Sequence, residues 1–594
     1  MNNNKMSSKD YQIFLFKALV WLSLAWGSFA LALVGFFYAS LVWTIVAIGG
    51  IWLARKATSF GISFKISREF FFTSILFIFI AISFSFLSQP SVFTGRDQGS
   101  FSEAAARLAQ NHKLEFSTPA SKEFFKLHEP GRAQNFPGFY YTKDGLLITQ
   151  FSLVYIAWLA LFFAVFGITG FLVANAVLFF TFLLSFYMTL RLFLKTSSAL
   201  PIMLLTSTSF VFMWFSKFTL SENIALPLVW LTILSLMLFL KDQRKLFYFV
   251  FLFSSFLLCF ARIEGFAFLL ASIAVILLNK NTRTFVKEKM SSRFFLPAIA
   301  LFLIFITNVY VDVYFYKEIL KAILPTVTSP QAKYLGEIKN SILPDFYSLK
   351  VFYLYGLLGF FIVGGFGTLY ALWKKEFYKL TPFFIILPTF VYFFDSQITP
   401  DHPWMLRRFM FSLLPCAIFY SGILLGKWFE GKNIKTKTLA ALISLALLAM
   451  NLPAFLKYIS YNENESLLAQ TQTLSSKFSD NDLILIDREA SGDGWSMLGG
   501  PMNYLFSKNA VYFFNNQDLS KLDTENFSNV YLIAPNKQVP FYLNSTIGSS
   551  LSETDSYTLT TTRLDVERSN KLDKISLPEK KEISVSGKIF KVNK

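Results

Sequence analysis

The sequence predicts a mainly α, polytopic transmembrane helical bundle followed by a small extracytoplasmic α/β domain. Of its 594 residues, 54% are hydrophobic and only 15% are charged, and the mean hydropathy is +0.48. These values lie outside the range of soluble domains. Runs such as "EFFFTSILFIFIAISFSFL" and "LVWLTILSLMLFL" are long enough to cross a hydrocarbon core of roughly 30 Å. After residue 460 the composition becomes polar.

The net charge of +18 is explained by short basic clusters that lie between hydrophobic runs. Examples are "KDQRK", "WKKEFYK" and "KWFEGKNIKTK". Such clusters are typical of cytoplasmic loops under the positive-inside rule, so the charge indicates a membrane protein and not a nucleic-acid partner. The predicted N-terminus is cytoplasmic. The predicted external segments are the first loop at 89–145, the loops around Arg262, 317–347 and 395–405, and the tail after Tyr458.

The number of crossings follows from counting apolar segments. About fourteen lie between Tyr11 and Tyr458. Counting the helices from the N-terminus and counting them back from the C-terminal end place the chain on opposite faces of the membrane somewhere between Gly145 and Phe218. One apolar segment in that region therefore does not cross. The interpretation is that segment 146–166 is a partial or re-entrant helix, which leaves about thirteen crossings. The first helix is too long, and lacks the small-residue cleavage site, for a removed signal peptide.

Two domains are predicted, a transmembrane domain at 1–460 and an α/β domain at 461–594. In the second, "ESLLAQTQTLSSKF" predicts an amphipathic helix, and "DLILIDRE", "NAVYFF" and "NVYLIAP" predict strands. The acidic, glycine-rich stretch "LIDREASGDGWSMLGG" either binds a sugar or acceptor or is an ordinary connection from a strand to a helix. No internal repeat of the kind found in many transporters is seen.

Cysteine and histidine indicate neither a disulfide framework nor a recognisable metal site. Cys259 and Cys416 both lie within apolar segments. The three histidines, His112, His128 and His402, have no recognisable ligand spacing. No cofactor is firmly predicted, and a divalent metal remains an alternative.

Ionisable residues of four separate segments are predicted to lie on the external face. Charges are costly inside a membrane and mark functional sites there, although each pair could also be a local ion pair or an interfacial anchor. The residues are Arg96, Asp97 and Glu103 in the first loop, Lys217 and Glu222 in "SKFTLSEN", Arg262 and Glu264 in "ARIEG", and Asp395, Asp401, His402, Arg407 and Arg408 in "DSQITPDHPWMLRRF".

Asp97 is the candidate general base. The stretch "RDQGSFSEAAARLA" predicts a turn at Asp97 to Gly99 and then a short amphipathic helix. Ser100 would be its N-cap, with Glu103 completing a capping box. A carboxylate just before a helix at the membrane surface suits a base that acts on an acceptor hydroxyl. The structural alternative is an Asx-turn.

These residues together resemble the GT-C superfamily of polytopic glycosyltransferases, in particular the branch of protein O-mannosyltransferases and the lipid A aminoarabinose transferase. Asp97, Phe101 and Glu103 match the branch's D-E-x-x-Y-x-E motif. Further on, "SKFTLSEN" is similar to its basic-then-acidic loop, "CFARIEGFAFLL" to its R-x-E-G helix pair, and "LRRFMFSLLP" to its R-[RY]-x-x-P helix start. The resemblance covers roughly residues 69–460. Gln98 departs from the second acid of the motif, which argues against a carboxylate-pair metal site, and the H-P-P-L stretch is absent.

The resemblance implies transfer of a sugar from a polyprenyl-phosphate donor to a protein, lipid or glycan hydroxyl, on the non-cytoplasmic face and with inversion. A polyprenyl phosphate leaves as an anion, so one base suffices and no general acid is required. Asp97 would be that base. Arg407, Arg408, Arg262 and Lys217 would hold the donor phosphate. The substrate-binding candidates are Arg96, Glu103, Glu222, Glu264, His402 and Asp401.

Two other function classes remain open. A flippase or transporter of lipid-linked sugar would be equally apolar, but it should carry ionisable residues near the membrane midplane and paired halves. A non-catalytic membrane binding protein is favoured only by Gln98. The compact loops favour the plasma membrane of a prokaryote as the location.

Overall fold

The computed structural model describes residues 6–57, 66–128, 130–280, 282–284, 295–328, 347–394, 401–492, 494, 497–566 and 575–593. It is 65% helical, which confirms the predicted mainly α fold class. The helices are α1 Ser8–Leu33, α2 Ala39–Ala57, α3 Arg68–Phe86, α4 Asp97–Asn111, α5 Pro119–Phe125, α6 Leu153–Phe166, α7 Gly170–Arg191, α8 Thr196–Ser207, α9 Phe210–Ser216, α10 Ser221–Asp242, α11 Lys245–Ala261, α12 Glu264–Leu278, α13 Phe295–Val311, α14 Val313–Thr328, α15 Tyr347–Leu354, α16 Leu358–Trp373, α17 Thr381–Ile386, α18 Arg407–Met410, α19 Leu413–Glu430, α20 Ile434–Tyr458, α21 Leu467–Ser475, α22 Gly499–Tyr504 and α23 Val539–Leu543.

The strands form two separate sheets. They are β1 Gly131–Arg132, β2 Phe139–Tyr141, β3 Leu147–Thr149, β4 Leu483–Asp487, β5 Asn509–Phe513, β6 Val530–Pro535, β7 Leu551–Leu564 and β8 Lys580–Val592. The first three make a small antiparallel sheet in the first loop, in the order β1-β2-β3. The other five make the sheet of the C-terminal domain, in the order β5-β4-β6-β8-β7.

Within the described residues, five helical segments are long and apolar enough to cross a membrane, and four bent helix pairs raise this number to nine. Four shorter apolar helices add to these. The predicted number of about thirteen crossings stays a prediction, because these shorter apolar helices have only 10–17 residues. The buried core of the bundle is mainly aromatic and aliphatic, with Trp158, Trp230 and Tyr187 among its largest fully buried side chains.

Helix α6, which occupies most of segment 146–166, packs back against helix α7. The Tyr155 hydroxyl donates to Asn175 Oδ1 at 2.7 Å, and Trp158 Nε1 donates to the Ala174 carbonyl. Helices α6 and α7 therefore form an antiparallel hairpin around residues 167–169. With 14 residues, α6 is about 21 Å long and too short to cross alone, which agrees with the predicted partial helix. Helix α6 begins at Leu153 and not at residue 146, because residues 147–149 form strand β3 and pair with β2.

The C-terminal domain confirms the three predicted strands and the helix before them. Strand β4 pairs in parallel with β5 and with β6, and all five of its residues are buried, as expected for the apolar run "LILI". The long β7–β8 hairpin, which pairs β8 antiparallel with β6, was not predicted from the sequence.

Helix α4 of the first loop lies between the bundle and the C-terminal domain. On the bundle side, the Phe101 ring stacks on Phe151 with centroids 4.4 Å apart. On the other side, Gln110 Nε2 donates to the Tyr504 carbonyl at 3.2 Å, and Arg107 donates to Asn503. The orientation of α4, and of the Asp97 side chain at its start, is therefore set by both domains.

Candidate active site

The helix that carries Asp97 begins earlier than the sequence predicted. Asp97 is its first residue, and Arg96 is an N-cap without a side-chain hydrogen bond. The predicted Ser100 cap and capping box are therefore wrong, since Ser100 and Glu103 lie inside the helix. Gly99 permits the early start, because a Cβ there would lie 1.6 Å from the Phe93 carbonyl oxygen. A carboxylate in the first turn is also favourable at the positive end of the helix dipole.

The ends of three helices meet around Glu222, which lies in the first turn of α10. Its side chain is only 2% exposed. Glu222 Oε1 lies 2.9 Å from Arg262 Nη1 and 3.7 Å from Arg407 Nε. Arg262 follows the end of α11, and Arg407 begins α18. The carboxylate therefore holds together arginines that are widely separated in the sequence.

Arg262 also binds the second buried acid, Glu264. Its Nε and Nη2 donate to the two carboxylate oxygens at 3.2 and 2.7 Å, a bidentate pair. Its Nη1 donates to the Ser221 hydroxyl as well. Glu264 accepts further hydrogen bonding from the Tyr392 hydroxyl. Both carboxylates are thereby committed to a rigid ionic network.

Asp97 lies at the edge of this network and is the most accessible of its acids. Its Oδ2 is 2.6 Å from Arg407 Nη1, and its side chain is 36% exposed. The Arg407 guanidinium lies over the Trp404 ring at 4.3 Å. The Arg96 guanidinium lies 4.8 Å from the same ring and binds Asp401 at 3.0 Å. The indole therefore holds two arginines beside Asp97.

The arginines of the site differ in how firmly they are paired. Arg262 has short contacts with two carboxylates and a hydroxyl, so the prediction that it binds the donor phosphate directly is not supported by the geometry. Arg408 has one ion contact, at 3.6 Å from Glu264, and its side chain is 18% exposed. Arg408 is therefore more loosely paired than Arg262 and Arg407, since Arg407 contacts Asp97 at 2.6 Å and Glu222 at 3.7 Å.

The prediction that Lys217 holds the donor phosphate is wrong for this structure. Its ammonium donates to the carbonyls of Tyr458, Ile459 and Tyr461 at 3.1, 2.6 and 2.8 Å. These are carbonyls at the end of α20, which have no partner within their own helix. All three ammonium donors are used, so Lys217 joins α9 to the start of the C-terminal domain.

Lys217→Met should lower stability and leave the chemistry unchanged. Loss of these charge-assisted hydrogen bonds at a buried helix end is expected to cost about 2–3 kcal/mol. Thermal unfolding of the purified protein measures the loss. Lys457→Met, at a half-exposed pair with Glu579, should have a much smaller effect. If Lys217→Met instead has normal stability but no activity, Lys217 belongs to the active site.

Glu103 lies on the other side of α4 from the arginine cluster. It faces the C-terminal domain, where a Cβ on Gly500 would lie 3.1 Å from its Oε2, and its nearest cation is Arg107 at 3.9 Å. The predicted joint role with Asp97 in one substrate site is therefore not supported. Burial raises the pKa of Glu103 to about 7, against a smaller opposing effect of Arg107.

The raised pKa of Glu103 predicts a pH dependence of stability. Between pH 4.5 and 7 the unfolded chain releases this proton while the folded chain keeps it, so stability should fall as the pH rises, by about 3 kcal/mol at 1.4 kcal/mol per unit. The melting temperature of Glu103→Gln should therefore fall less between pH 4.5 and pH 7 than that of the unsubstituted protein. The control Glu123→Gln, at a buried acid paired with Lys126, should retain it. An unchanged slope in Glu103→Gln would contradict the assignment.

His402 lies inside the protein, against Tyr355. His402 is fully buried, with Nδ1 3.1 Å from the Tyr355 hydroxyl, so the predicted contact with sugar hydroxyls is wrong for this conformation. Asp395 lies outside the described residues. Within the described part of the chain, no group of three or more His, Cys, Asp or Glu side chains is placed to hold a metal ion.

Sequence reasoning missed the aromatic partners of the site. Trp404 and Tyr392 contact the arginine and glutamate side chains directly, and Phe411 lies 4.6 Å from the Arg262 guanidinium. Trp404 lies three residues before Arg407 in the sequence, and this closeness could have identified it as part of the site. Tyr392 and Phe411 are two of many aromatic residues in apolar segments, so nothing distinguished them.

A cavity of about 300 Å³ adjoins the site. On the bundle side it is lined by Arg96, Asp401 and Trp404, and on the other side by Lys581 and Ile583 of the C-terminal hairpin. The C-terminal domain therefore forms one wall of a cavity whose opposite wall contains Arg96 and Trp404.

No protein family model and no curated protein matches the chain. Two solved structures of ArnT from Cupriavidus metallidurans are similar, one in the apo state and one bound to undecaprenyl phosphate. Each has 10% sequence identity and a TM-score of 0.47, and the match covers 86% of this chain and 97% of theirs. The expected resemblance to the lipid A aminoarabinose transferase branch thus has a counterpart among solved structures. At this identity and TM-score it assigns no role to any residue.

Proposed function

We propose that the chain is an inverting membrane glycosyltransferase that uses a polyprenyl-phosphate sugar donor. The acceptor is a hydroxyl of a protein, lipid or glycan on the non-cytoplasmic face. The observation that carries the proposal is the contact of Asp97 with Arg407, 2.6 Å apart, next to the loosely paired Arg408. A base and the cations for a leaving phosphate are thereby adjacent at one end of the bundle.

The chemistry divides between these residues. The Asp97 carboxylate takes the proton of the acceptor hydroxyl, whose oxygen attacks the anomeric carbon of the donor sugar. The bond from that carbon to the phosphate oxygen breaks, and the phosphate leaves with the electron pair. Arg407 and Arg408 stabilise the developing negative charge. When the donor phosphate binds Arg407, it replaces Asp97 as the partner of that guanidinium. The Asp97 carboxylate is then free to accept the proton of the acceptor hydroxyl.

Arg262, Glu222 and Glu264 position the site without binding substrate. Their mutual contacts of 2.7 and 2.9 Å fix the ends of α10, α11 and α12. Because Glu222 also reaches Arg407, the buried acid sets the location of an arginine that contacts substrate. The basic clusters lie at the opposite ends of these helices, which supports a site on the non-cytoplasmic face.

The proposal is tested by sugar transfer in membranes that carry the chain or lack it. Polyprenyl-phosphate donors with different radiolabelled sugars are supplied, and label in protein, lipid and glycan fractions is counted. Label that appears only with the chain supports the proposal and reveals the acceptor class. Movement of intact donor across the bilayer with no transfer from any donor would favour a flippase and overturn the proposal.

Arg408→Gln should weaken donor binding more than turnover. Loss of one charge-assisted contact to phosphate is expected to raise the KM for the donor about tenfold or more. Initial rates at varied donor concentration separate KM from kcat. Arg244→Gln, at an exposed arginine just before α11 and therefore at the opposite end of that helix from Arg262, is the matched control. An unchanged KM for the donor in Arg408→Gln would remove this arginine from the phosphate site.

A further inference from the structure

One carboxylate oxygen of Glu264 is shared by three donors. Oε1 accepts a hydrogen bond from Arg262 Nη2 at 2.7 Å and another from the Tyr392 hydroxyl. The same oxygen lies 3.6 Å from Arg408 Nη1. A carboxylate oxygen has two lone pairs, so the two hydrogen bonds fill Oε1. Arg408 is therefore attracted to Glu264 by charge without being hydrogen-bonded to it.

Arg262 cannot take a second place on this oxygen, because its other donors are already used. Its Nε donates to Glu264 Oε2 at 3.2 Å, and its Nη1 lies 2.9 Å from Glu222 Oε1. Arg408 is the remaining cation in contact with Glu264. It is thus the group that would bind Oε1 if the Tyr392 hydroxyl were removed.

The ring of Tyr392 acts on Arg408 in a second way. The Arg408 guanidinium carbon lies 5.7 Å from the centre of the ring, which is within the range of a cation–π interaction. Tyr392 is 8% exposed and belongs to the short helix Leu387–Phe393. Its hydroxyl therefore keeps Arg408 from bonding to Glu264, while its ring keeps the guanidinium close by.

The Arg408 guanidinium has donor capacity left for a ligand. Among the described residues, its Nε is buried and has no hydrogen-bond partner. A buried charged donor without an acceptor is costly, which indicates an acceptor that arrives with a ligand. The Arg408 side chain is also 18% exposed, so a ligand can reach it.

We propose that Tyr392 is a positioning residue that keeps Arg408 available to the donor phosphate. Its hydroxyl occupies the place on Glu264 that Arg408 would otherwise bind, and its ring holds the guanidinium beside the site. This role of Tyr392 rests on the proposed function, in which Arg408 binds the phosphate. Tyr392 acts through Glu264 and does not itself contact the substrate.

Tyr392→Phe removes the hydroxyl and retains the ring. The buried Oε1 of Glu264 then loses a donor, and Arg408 is expected to move within hydrogen-bond distance of it. An incoming phosphate must break this new contact, so the affinity for undecaprenyl phosphate should fall about tenfold. The KM for the donor should rise by a similar factor, while kcat should change by less than about twofold.

Affinity is measured by equilibrium binding of radiolabelled undecaprenyl phosphate to the purified full chain in nanodiscs, without sugar or acceptor. In an Arg408→Gln background, Tyr392→Phe should change the affinity by less than about twofold, because the residue on which the hydroxyl acts is absent. Tyr378→Phe is the matched control, since it removes a partly buried hydroxyl that donates to the Met237 carbonyl at 3.0 Å. It should leave the affinity unchanged. Thermal unfolding establishes that each variant is folded.

Two results would overturn the inference alone. An unchanged or higher affinity in folded Tyr392→Phe would show that the hydroxyl does not control Arg408. An equal loss of affinity with and without Arg408 would show that the hydroxyl acts on the phosphate directly or on the fold. If Arg408→Gln by itself leaves the affinity unchanged, the phosphate site of the proposed function fails too, so the two failures are distinguishable.

Discussion

Asp97→Asn is expected to abolish sugar transfer, with a fall in turnover of about 10²- to 10⁴-fold, the usual contribution of a general base. Asparagine has nearly the same shape as aspartate but cannot accept the proton of the acceptor hydroxyl. Because the Asp97 side chain is 36% exposed, the substitution should cost little stability. Transfer is measured in membranes that contain equal amounts of folded protein.

The design of this experiment separates a base from a structural partner of Arg407. Asp97→Glu retains a carboxylate and should keep part of the activity, whereas Asp97→Asn should keep almost none. Asp523→Asn, at an exposed aspartate that pairs with Lys126 at 3.7 Å, is the matched control and should transfer normally. Full activity in Asp97→Asn would remove the residue from the mechanism.

Arg262→Met is expected to have the largest effect on stability. Arg262 is the shared partner of Glu222 and Glu264, at 2.9 and 2.7 Å, and all three side chains are nearly or fully buried. Its removal leaves two buried carboxylates without their main partner, which typically costs about 3–5 kcal/mol. A marked fall in melting temperature and in yield of folded protein should follow.

The control for this prediction is a pair of the same type near the protein surface. Arg96→Met breaks a pair with Asp401 in which both side chains are almost one-fifth exposed. It should therefore cost only about 1 kcal/mol or less. If Arg262→Met instead folds with normal stability and loses transfer, Arg262 contacts substrate and is not a positioning residue.

Several features of this protein could be predicted from local sequence. Apolar runs such as residues 221–242 form helices because no water is available to the backbone in a membrane. The pattern of "LILID" forms a buried parallel strand because both of its faces are covered. The grouping of Asp97, Glu222, Arg262, Glu264 and Arg407 at one end of the bundle follows from counting helices and basic loops.

The partners of these charges could not be predicted in the same way. Lys217 and Arg407 are both basic residues at helix ends, yet one caps α20 and the other contacts Asp97. Glu103 and Asp97 share a helix and face different neighbours. The start of α4 was predicted wrongly because a contact of Gly99 with the backbone at Phe93 decides it, and no capping pattern encodes that contact.

The sequence by itself determined the membrane-spanning class, the helical and strand segments, and the end of the bundle that carries the ionisable residues. The physical reason is that hydropathy and periodicity are local properties of the chain. Only the tertiary structure decided which acid meets which arginine, since Asp97 and Arg407 are 310 residues apart. Their contact depends on how the helices pack, and this packing also brings the C-terminal domain beside the site.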